Sequence, residues 1–121
     1  MLKDIDPKLL DEEYIYYSVP NAKYGDCSEL NPIFSFHEDE GLTLVILKSE
    51  ADKHNIMYDD VFCCISLGLH SSLLSVGLTA AISSKLAESG ICANMAAGYF
   101  HDHIFIPLNM AQKAMKLLSE I

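Results

Sequence analysis

The fold of this chain is decided by residues 61–90, which read VFCCISLGLHSSLLSVGLTAAISSKLAESG. Over 61–69 the odd-numbered residues are all apolar, and this two-residue period is typical of a strand with one buried face. Over 73–89 the apolar residues recur at helical spacing, and Gly90 suits the position that follows a helix C-terminus. The stretch therefore predicts a strand, a polar loop and a helix capped by Ser72.

The rest of the second half predicts two more strands and a second helix. The strands are expected over 91–97 and 103–107, and the helix over 109–119 with Asn109 as its N-cap. This order of elements is typical of an α+β fold, in which helices pack on one face of an antiparallel sheet. The pattern lacks a final strand, so we expect a strand from the other half or from a second subunit to complete the sheet.

The first half repeats this order in a degenerate form. Strands are predicted over 14–19, 33–36 and 42–47, followed by a short helix over 49–54 with Ser49 as its N-cap. The loop over 21–32 replaces the first helix of the repeat, and residues 8–11 predict only a short turn. Gly41 supplies the positive φ that a tight hairpin turn needs. Two halves of about 60 residues follow, which we place at 1–58 and 59–121.

The charge of the chain restricts its partners. The sequence has 17 acidic and 8 basic residues, a net charge of −9, and every basic residue is Lys. Such a chain repels phosphate backbones, so a nucleic-acid partner is not expected. No apolar run is long enough for a transmembrane helix, and the N-terminus lacks the apolar segment of a signal peptide. We therefore expect a cytoplasmic protein that acts without a membrane.

Cysteine usage agrees with a reducing compartment. The four cysteines are Cys27, Cys63, Cys64 and Cys92. None of them forms a Cys-x-x-Cys pair, and the two adjacent ones fall in a strand, where they point to opposite faces. We therefore expect reduced, partly buried thiols rather than a disulfide framework or a zinc site.

These patterns together resemble small bacterial proteins of the ACT-domain superfamily, which pair two ACT-like halves. The resemblance rests on residues 40–45, 70–73, 76–81, 86–87, 90–91, 94, 97–99 and 101–107. The two halves are also similar to the paired ACT domains of aspartate kinases and of CASTOR-type arginine sensors. The first half is the degenerate one, because it lacks its own first helix and loop motif.

The resemblance implies a fold and a function. The fold is two ferredoxin-like βαββαβ units, and the function is regulatory and non-catalytic, with an amino acid bound at an interface between ACT units. The implied ligand-binding residues are Gly68, Leu69, His70, Ser71, Ser72 and Leu73 of the first strand–helix loop, and Asn94 of the facing strand. We also expect a homodimer and neither a cofactor nor a metal. Ligand would act by stabilising one arrangement of the dimer.

The residues themselves leave alternatives open. Hydroxyls and backbone amides at a helix N-terminus suit a bound carboxylate, but Ser71 and Ser72 also suit ordinary helix capping. His101 and His103 would share one strand face and favour a metal, although the same segment is also typical of a turn. No nucleophile elbow supports a Ser–His–Asp triad, so no enzyme is expected. A protein-interaction module without a small-molecule ligand is the alternative function.

Overall fold

Residues 5–68 and 76–121 are described by the structure, a computed structural model. The chain forms two compact units. The N-terminal unit consists of residues 12–62, and the C-terminal unit consists of residues 63–121 together with 1–11. In the described ranges, no helix combines the length and the apolar character needed to cross a membrane.

Seven strands and three helices are found among the described residues. In chain order they are β1 (Pro7–Leu9), β2 (Tyr14–Val19), β3 (Phe34–Glu38), β4 (Gly41–Leu47), α1 (Lys48–Lys53), β5 (Phe62–Leu67), α2 (Leu78–Glu88), β6 (Asn94–Ala97), β7 (Asp102–Pro107) and α3 (Ala111–Ser119). Two single turns of 3-10 helix, Ser28–Leu30 and Leu108–Met110, lie between them. The predicted strand over residues 14–19 is confirmed residue for residue.

The last strand of the C-terminal unit comes from the beginning of the chain. β1 pairs antiparallel with β5, and Pro7 lies opposite Leu67. The strands of this unit follow the order β1, β5, β7, β6, which is the ferredoxin-like order with β1 in the place of the final strand. The prediction of only a turn over residues 8–11 is wrong, because a strand of three residues is too short to show an alternating pattern.

An apolar cluster fills the C-terminal unit. The odd-numbered residues of β5 face it, as predicted, and Ile82 and Leu86 of α2 pack against them together with Leu118 of α3. Ile5, just before β1, belongs to the same cluster. Removal of this apolar surface from water is the main stabilising contribution to the unit, so Ile5, which precedes β1, is part of its core.

The start of α2 differs from the prediction. The helix begins at Leu78 rather than at residue 73, and its N-cap is Gly77 with φ +94°. The predicted cap, Ser72, lies outside the described residues. A left-handed residue does not continue a helix, but the apolar spacing in the sequence is the same on both sides of Gly77, so periodicity alone does not detect the boundary. The predicted caps at Ser49 and Asn109 are also wrong, because the residues before α1 and α3 are Leu47 and Met110.

The N-terminal unit has the same ferredoxin-like plan without a first α-helix. Its strands follow the order β3, β4, β2, and Phe62 pairs with Tyr14 on the far side of β2. The predicted hairpin is confirmed, with Glu38 opposite Gly41 across the turn. The segment between β2 and β3 contains one 3-10 turn, and its Leu30 is buried in the core of the unit. The expectation of two ferredoxin-like halves, the first degenerate, is confirmed.

A polar cluster fixes the residues that follow α1. The Tyr58 hydroxyl donates a hydrogen bond to Asp52 Oδ1 at 2.7 Å, and Lys48 Nζ donates to Asp52 Oδ2 at 3.1 Å. These two interactions, the Tyr58 hydrogen bond first, lower the pKa of Asp52 below its ordinary value of 3.8. A carboxyl whose pKa is lowered by folding stabilises the folded state above its ordinary pKa, and this contribution is lost as the pH falls through the folded-state value.

We expect Tyr58→Phe to raise the pKa of Asp52 towards its ordinary value, because the larger of the two favourable interactions disappears. The measurement is an NMR titration of the side-chain carboxyl carbons. Tyr24→Phe, which removes a hydroxyl from an exposed loop residue of the same unit, should leave the Asp52 titration unchanged. An unchanged Asp52 pKa in the Tyr58 variant would show that Lys48 alone controls it.

Candidate functional site

Gly68 ends β5 and is held by the residues that precede β1. Its backbone N–H donates to the carbonyl oxygens of Ile5 and Asp6, at 2.9 and 3.0 Å. A Cβ at this position would lie 2.6 Å from Asp6 Oδ2 and 2.9 Å from Asp6 Cβ. Only a glycine therefore fits beside Asp6 without displacing it, which explains why this residue type ends the strand.

Asp6 is a candidate site residue that the sequence analysis missed. It lies outside the ACT-like motifs, and its neighbours along the chain carry no binding pattern. The pairing of β1 with β5 brings it beside Gly68, with its own backbone at φ +44°. Aspartate tolerates this left-handed conformation better than most residues. Its exposed carboxylate places a negative charge at the point where the predicted ligand loop begins.

Residues Leu69, His70, Ser71, Ser72 and Leu73 of the predicted site lie outside the described part of the chain. The structure describes the chain again from Val76, just before α2. In α2 no side chain caps the N-terminus and the first turn carries no acidic residue. The N–H groups of the first turn have no partner within the helix, and the helix dipole makes this end favourable for an anion.

Asn94, the other predicted site residue, is the first residue of β6. Its side-chain amide donates to the carbonyl oxygen of Phe105, the residue opposite it in β7, at 3.3 Å. The backbone of the next residue, Ile106, is close enough to the thiol of Cys63, at the start of β5, to oppose the rise of its pKa. Asn94 is therefore level with the start of β5, whereas Gly68 follows its end.

The C-terminal unit does not bring the two described site residues together. About four residues of strand separate the level of Asn94 from that of Gly68, which is roughly 13 Å. A small amino acid does not span this distance.

The structure also places the two histidines considered for a metal. His103 lies in β7, whereas His101 lies in the turn before it, where its carbonyl oxygen accepts a hydrogen bond from Gly98 N at 2.9 Å. The two residues therefore do not lie on one regular strand. Over residues 5–68 and 76–121, no group of three or more His, Cys, Asp or Glu side chains is arranged to hold a metal ion.

The four thiols differ in environment. Burial raises the pKa of Cys63, and burial followed by the charge of Cys63 raises the pKa of Cys64 to about 11. Burial, reinforced by Glu29 and Asp26, also raises the pKa of Cys27. Cys92 is exposed in the loop before β6. Since the thiolate is the reactive form, the raised pKa values disfavour Cys27, Cys63 and Cys64 as nucleophiles.

We expect one thiol to react rapidly with a disulfide reagent in the folded protein and all four to react in denaturant. The rapid thiol is Cys92, because it is exposed, while the two cysteines of β5 are buried. The measurement is the time course of thiol modification at mildly alkaline pH. Cys92→Ser should remove the rapid phase, and a rapid phase that survived this change would contradict the assignment.

The described geometry defines a class of protein, one that consists of two ferredoxin-like units in tandem. Residues 1–64 and residues 59–120 each match an ACT domain family. The chain therefore belongs to the ACT domain family, as its sequence motifs suggested. ACT domains are regulatory modules that typically bind small molecules such as amino acids and typically dimerise. The predicted boundary after residue 58 stays a prediction.

Solved structures agree with this assignment. A Vibrio cholerae protein of unknown function, described as a possible transport protein, is 44% identical, with a TM-score of 0.90 over 97% of this chain and 88% of its own. The regulatory subunit of aspartate kinase from Thermus thermophilus shares the fold, at 10% identity and a TM-score of 0.70 over 98% of this chain and 97% of its own.

An Agrobacterium tumefaciens protein is similar at 19% identity, with a TM-score of 0.73 over 96% of this chain and 87% of its own. The Agrobacterium protein and the Thermus subunit therefore support the assignment of the fold and nothing further. No curated protein sequence matches the chain.

Proposed function

We propose that this protein is a non-catalytic sensor that binds an amino acid at the loop between β5 and α2. The observation that carries the proposal is the N-terminus of α2, which has neither a side-chain cap nor an acid in its first turn. It follows the loop that ACT-domain membership makes the expected ligand site. A ligand carboxylate would accept hydrogen bonds from these backbone N–H groups.

Asp6 supports an amino acid rather than a simple anion as the ligand. Its carboxylate lies beside Gly68 at the start of the loop, where it would attract an ammonium group and repel a second anion. The chain has no Arg, so the bidentate clamp that usually binds a carboxylate is absent, and backbone amides with the hydroxyls of Ser71 and Ser72 would replace it. A zwitterion matches both the cationic helix end and the anionic side chain.

The remaining parts of the proposal concern the assembly. We infer a homodimer in which Gly68 of one chain and Asn94 of another approach the same ligand, since the two lie about 13 Å apart within one unit. Ligand binding would then stabilise one arrangement of the dimer, and a partner would recognise that arrangement. A cytoplasmic location agrees with the reduced thiols.

The test is thermal unfolding of the purified protein with each of the twenty amino acids and a small set of metabolites. A ligand at 100 times its dissociation constant should stabilise the protein by about 2.7 kcal/mol, which raises the unfolding temperature by several degrees. Ser71→Ala combined with Ser72→Ala should abolish this shift. Ser84→Ala, which changes an exposed serine on α2, should retain it.

A second pair of measurements separates the ammonium group from the carboxylate. Asp6→Asn should weaken binding of the amino acid about tenfold or more, as expected when a charged partner is lost, whereas Asp11→Asn should not. The N-acetyl derivative of the ligand should bind weakly to the unchanged protein, because it lacks the ammonium group. If no compound raised the unfolding temperature, the result would favour the alternative function, a protein-interaction module without a small-molecule ligand.

A further inference from the structure

The sheet of the N-terminal unit has one face that the core does not use. Side chains alternate along a strand, and Ile15, Leu44 and Ile46 point into the buried cluster. The residues between them therefore point to the opposite face. There Val45 lies between Phe34 of β3 and Tyr16 of β2, which are its partners in the ladder.

This second face is aromatic, and we call it the aromatic face. It consists of Tyr16, Phe34, Phe36 and Phe62 around Thr43 and Val45. Phe36 is 60% exposed and Tyr16 is 37% exposed, while Val45 beneath them is completely buried. Apolar rings clustered in this way on a surface mark an interaction site more reliably than a single exposed apolar residue does.

The charge around the aromatic face has one sign. Thr43 Oγ1 donates a hydrogen bond to the Glu38 carboxylate, so Glu38 lies on this face, next to Phe36 in β3. Asp39 and Glu40 continue the acidic run in the exposed hairpin turn. The strands β2, β3 and β4 contain no lysine.

The lysines of the N-terminal unit belong to other elements. Lys48 and Lys53 lie in α1, where Lys48 is paired with Asp52. Lys23 lies in the loop between β2 and β3, whose Leu30 packs into the core on the opposite face of the sheet. Among the described residues of the N-terminal unit, the aromatic face therefore combines exposed rings with carboxylates and includes no lysine.

We propose that the aromatic face binds a basic amphipathic helix of a partner protein. Aromatic rings attract guanidinium and ammonium groups through their π faces, and the acidic hairpin attracts the same cations over a longer range. The face is about 10 Å wide from β3 to β2, and Phe34 and Phe36 lie about 7 Å apart along β3. These dimensions suit between one and two turns of a helix about 10 Å in diameter, since each turn rises about 5.4 Å.

A second copy of the chain fits the face less well. Each copy has a net charge of −9, and the face offers no lysine or arginine to balance the Glu38 of its counterpart. Like charges placed opposite each other oppose association. The proposal does not depend on amino-acid binding, because the rings and the acidic hairpin belong to the N-terminal unit and the ligand loop belongs to the C-terminal unit.

The test uses three helical peptides of about 18 residues, which is long enough for five turns. All three peptides carry leucine on one face. The opposite face carries Lys and Arg in the first peptide, Gln in the second and Glu in the third. Binding to the full-length protein is measured by fluorescence anisotropy at physiological ionic strength. We expect the basic peptide to bind at least tenfold more tightly than the Gln peptide and the Glu peptide not to bind.

Matched variants separate the aromatic face from general charge attraction. Phe36→Thr replaces the ring with a β-branched residue that also favours a strand and should weaken binding of the basic peptide at least tenfold. Tyr24→Thr removes a ring that is 87% exposed in a loop off this face and should leave binding unchanged. In NMR spectra, the amide signals of β3 and β4 should shift on addition of the basic peptide to the unchanged protein.

Two results would overturn the proposal. Equal binding of the basic peptide to the Phe36 and Tyr24 variants would show that net charge alone attracts it. The second result comes from sedimentation equilibrium. If the protein self-associates without peptide and Phe36→Thr makes it monomeric, the occupant of the aromatic face is a second copy of the chain.

Discussion

Replacing Ile5 with alanine is expected to lower the free energy of unfolding of the C-terminal unit by about 2–5 kcal/mol. Ile5 is only 1% exposed and belongs to the same cluster as Ile65 and Ile82. Truncation removes buried methylene and methyl groups and leaves a cavity that the surrounding β5, α2 and α3 close only in part.

Chemical denaturation followed by circular dichroism measures the effect. The matched control is Lys8→Ala, three residues further along, where the side chain is exposed on β1 and the loss should stay within about 0.5 kcal/mol. If Ile5→Ala were as mild as the control, the segment before β1 would not be part of the core in solution.

The second large decrease in the free energy of unfolding is expected for Gly41→Ala. Gly41 is the first residue of β4. Its φ is +150°, and a Cβ would lie 2.6 Å from the carbonyl oxygen of Val19 and 3.0 Å from Pro20 Cα. Both neighbours are backbone atoms, so no side-chain rotation relieves the clash. Gly41→Ala therefore strains the backbone and displaces the end of the strand. We expect the free energy of unfolding to fall by at least about 3 kcal/mol.

Gly77→Ala is the control that separates strain from crowding. Gly77 also has a positive φ, +94°, but a Cβ there would meet no atom within 4 Å. The expected loss is only that of placing an L-residue in the left-handed region, about 1–2 kcal/mol. Equal losses for the two variants would mean that the chain between β2 and β4 relaxes around the new methyl group.

The elements with a strong local signal could be predicted from the sequence. The strand Tyr14–Val19 has β-branched and aromatic residues throughout, and the hairpin around Gly41 follows from an acidic turn between two apolar runs. The pairing of β1 with β5 could not be predicted, because three residues carry no measurable period and the partner strand is more than fifty positions away.

The candidate site was predictable only in part, for the same physical reason. The loop after β5 and the fold around it follow from motifs in one continuous stretch of sequence. Asp6 reaches this loop only through tertiary pairing, and the separation of Gly68 from Asn94 depends on how three strands are aligned. The left-handed Gly77 is likewise invisible to hydrophobic periodicity, because the apolar spacing on both sides of it is in phase.

The place of β1 in the C-terminal unit also determines the order in which the chain can fold during synthesis. β1 is synthesised before residues 12–62, whereas nearly all of its partner strand β5 is synthesised after them. The N-terminal unit can therefore fold while β1 is still without its partner strand. When this unit folds, Tyr14 pairs with Phe62 and the two ends of its sequence come together. The flexible loop that must close before β1 pairs with β5 is then shorter, so less conformational entropy is lost in that step.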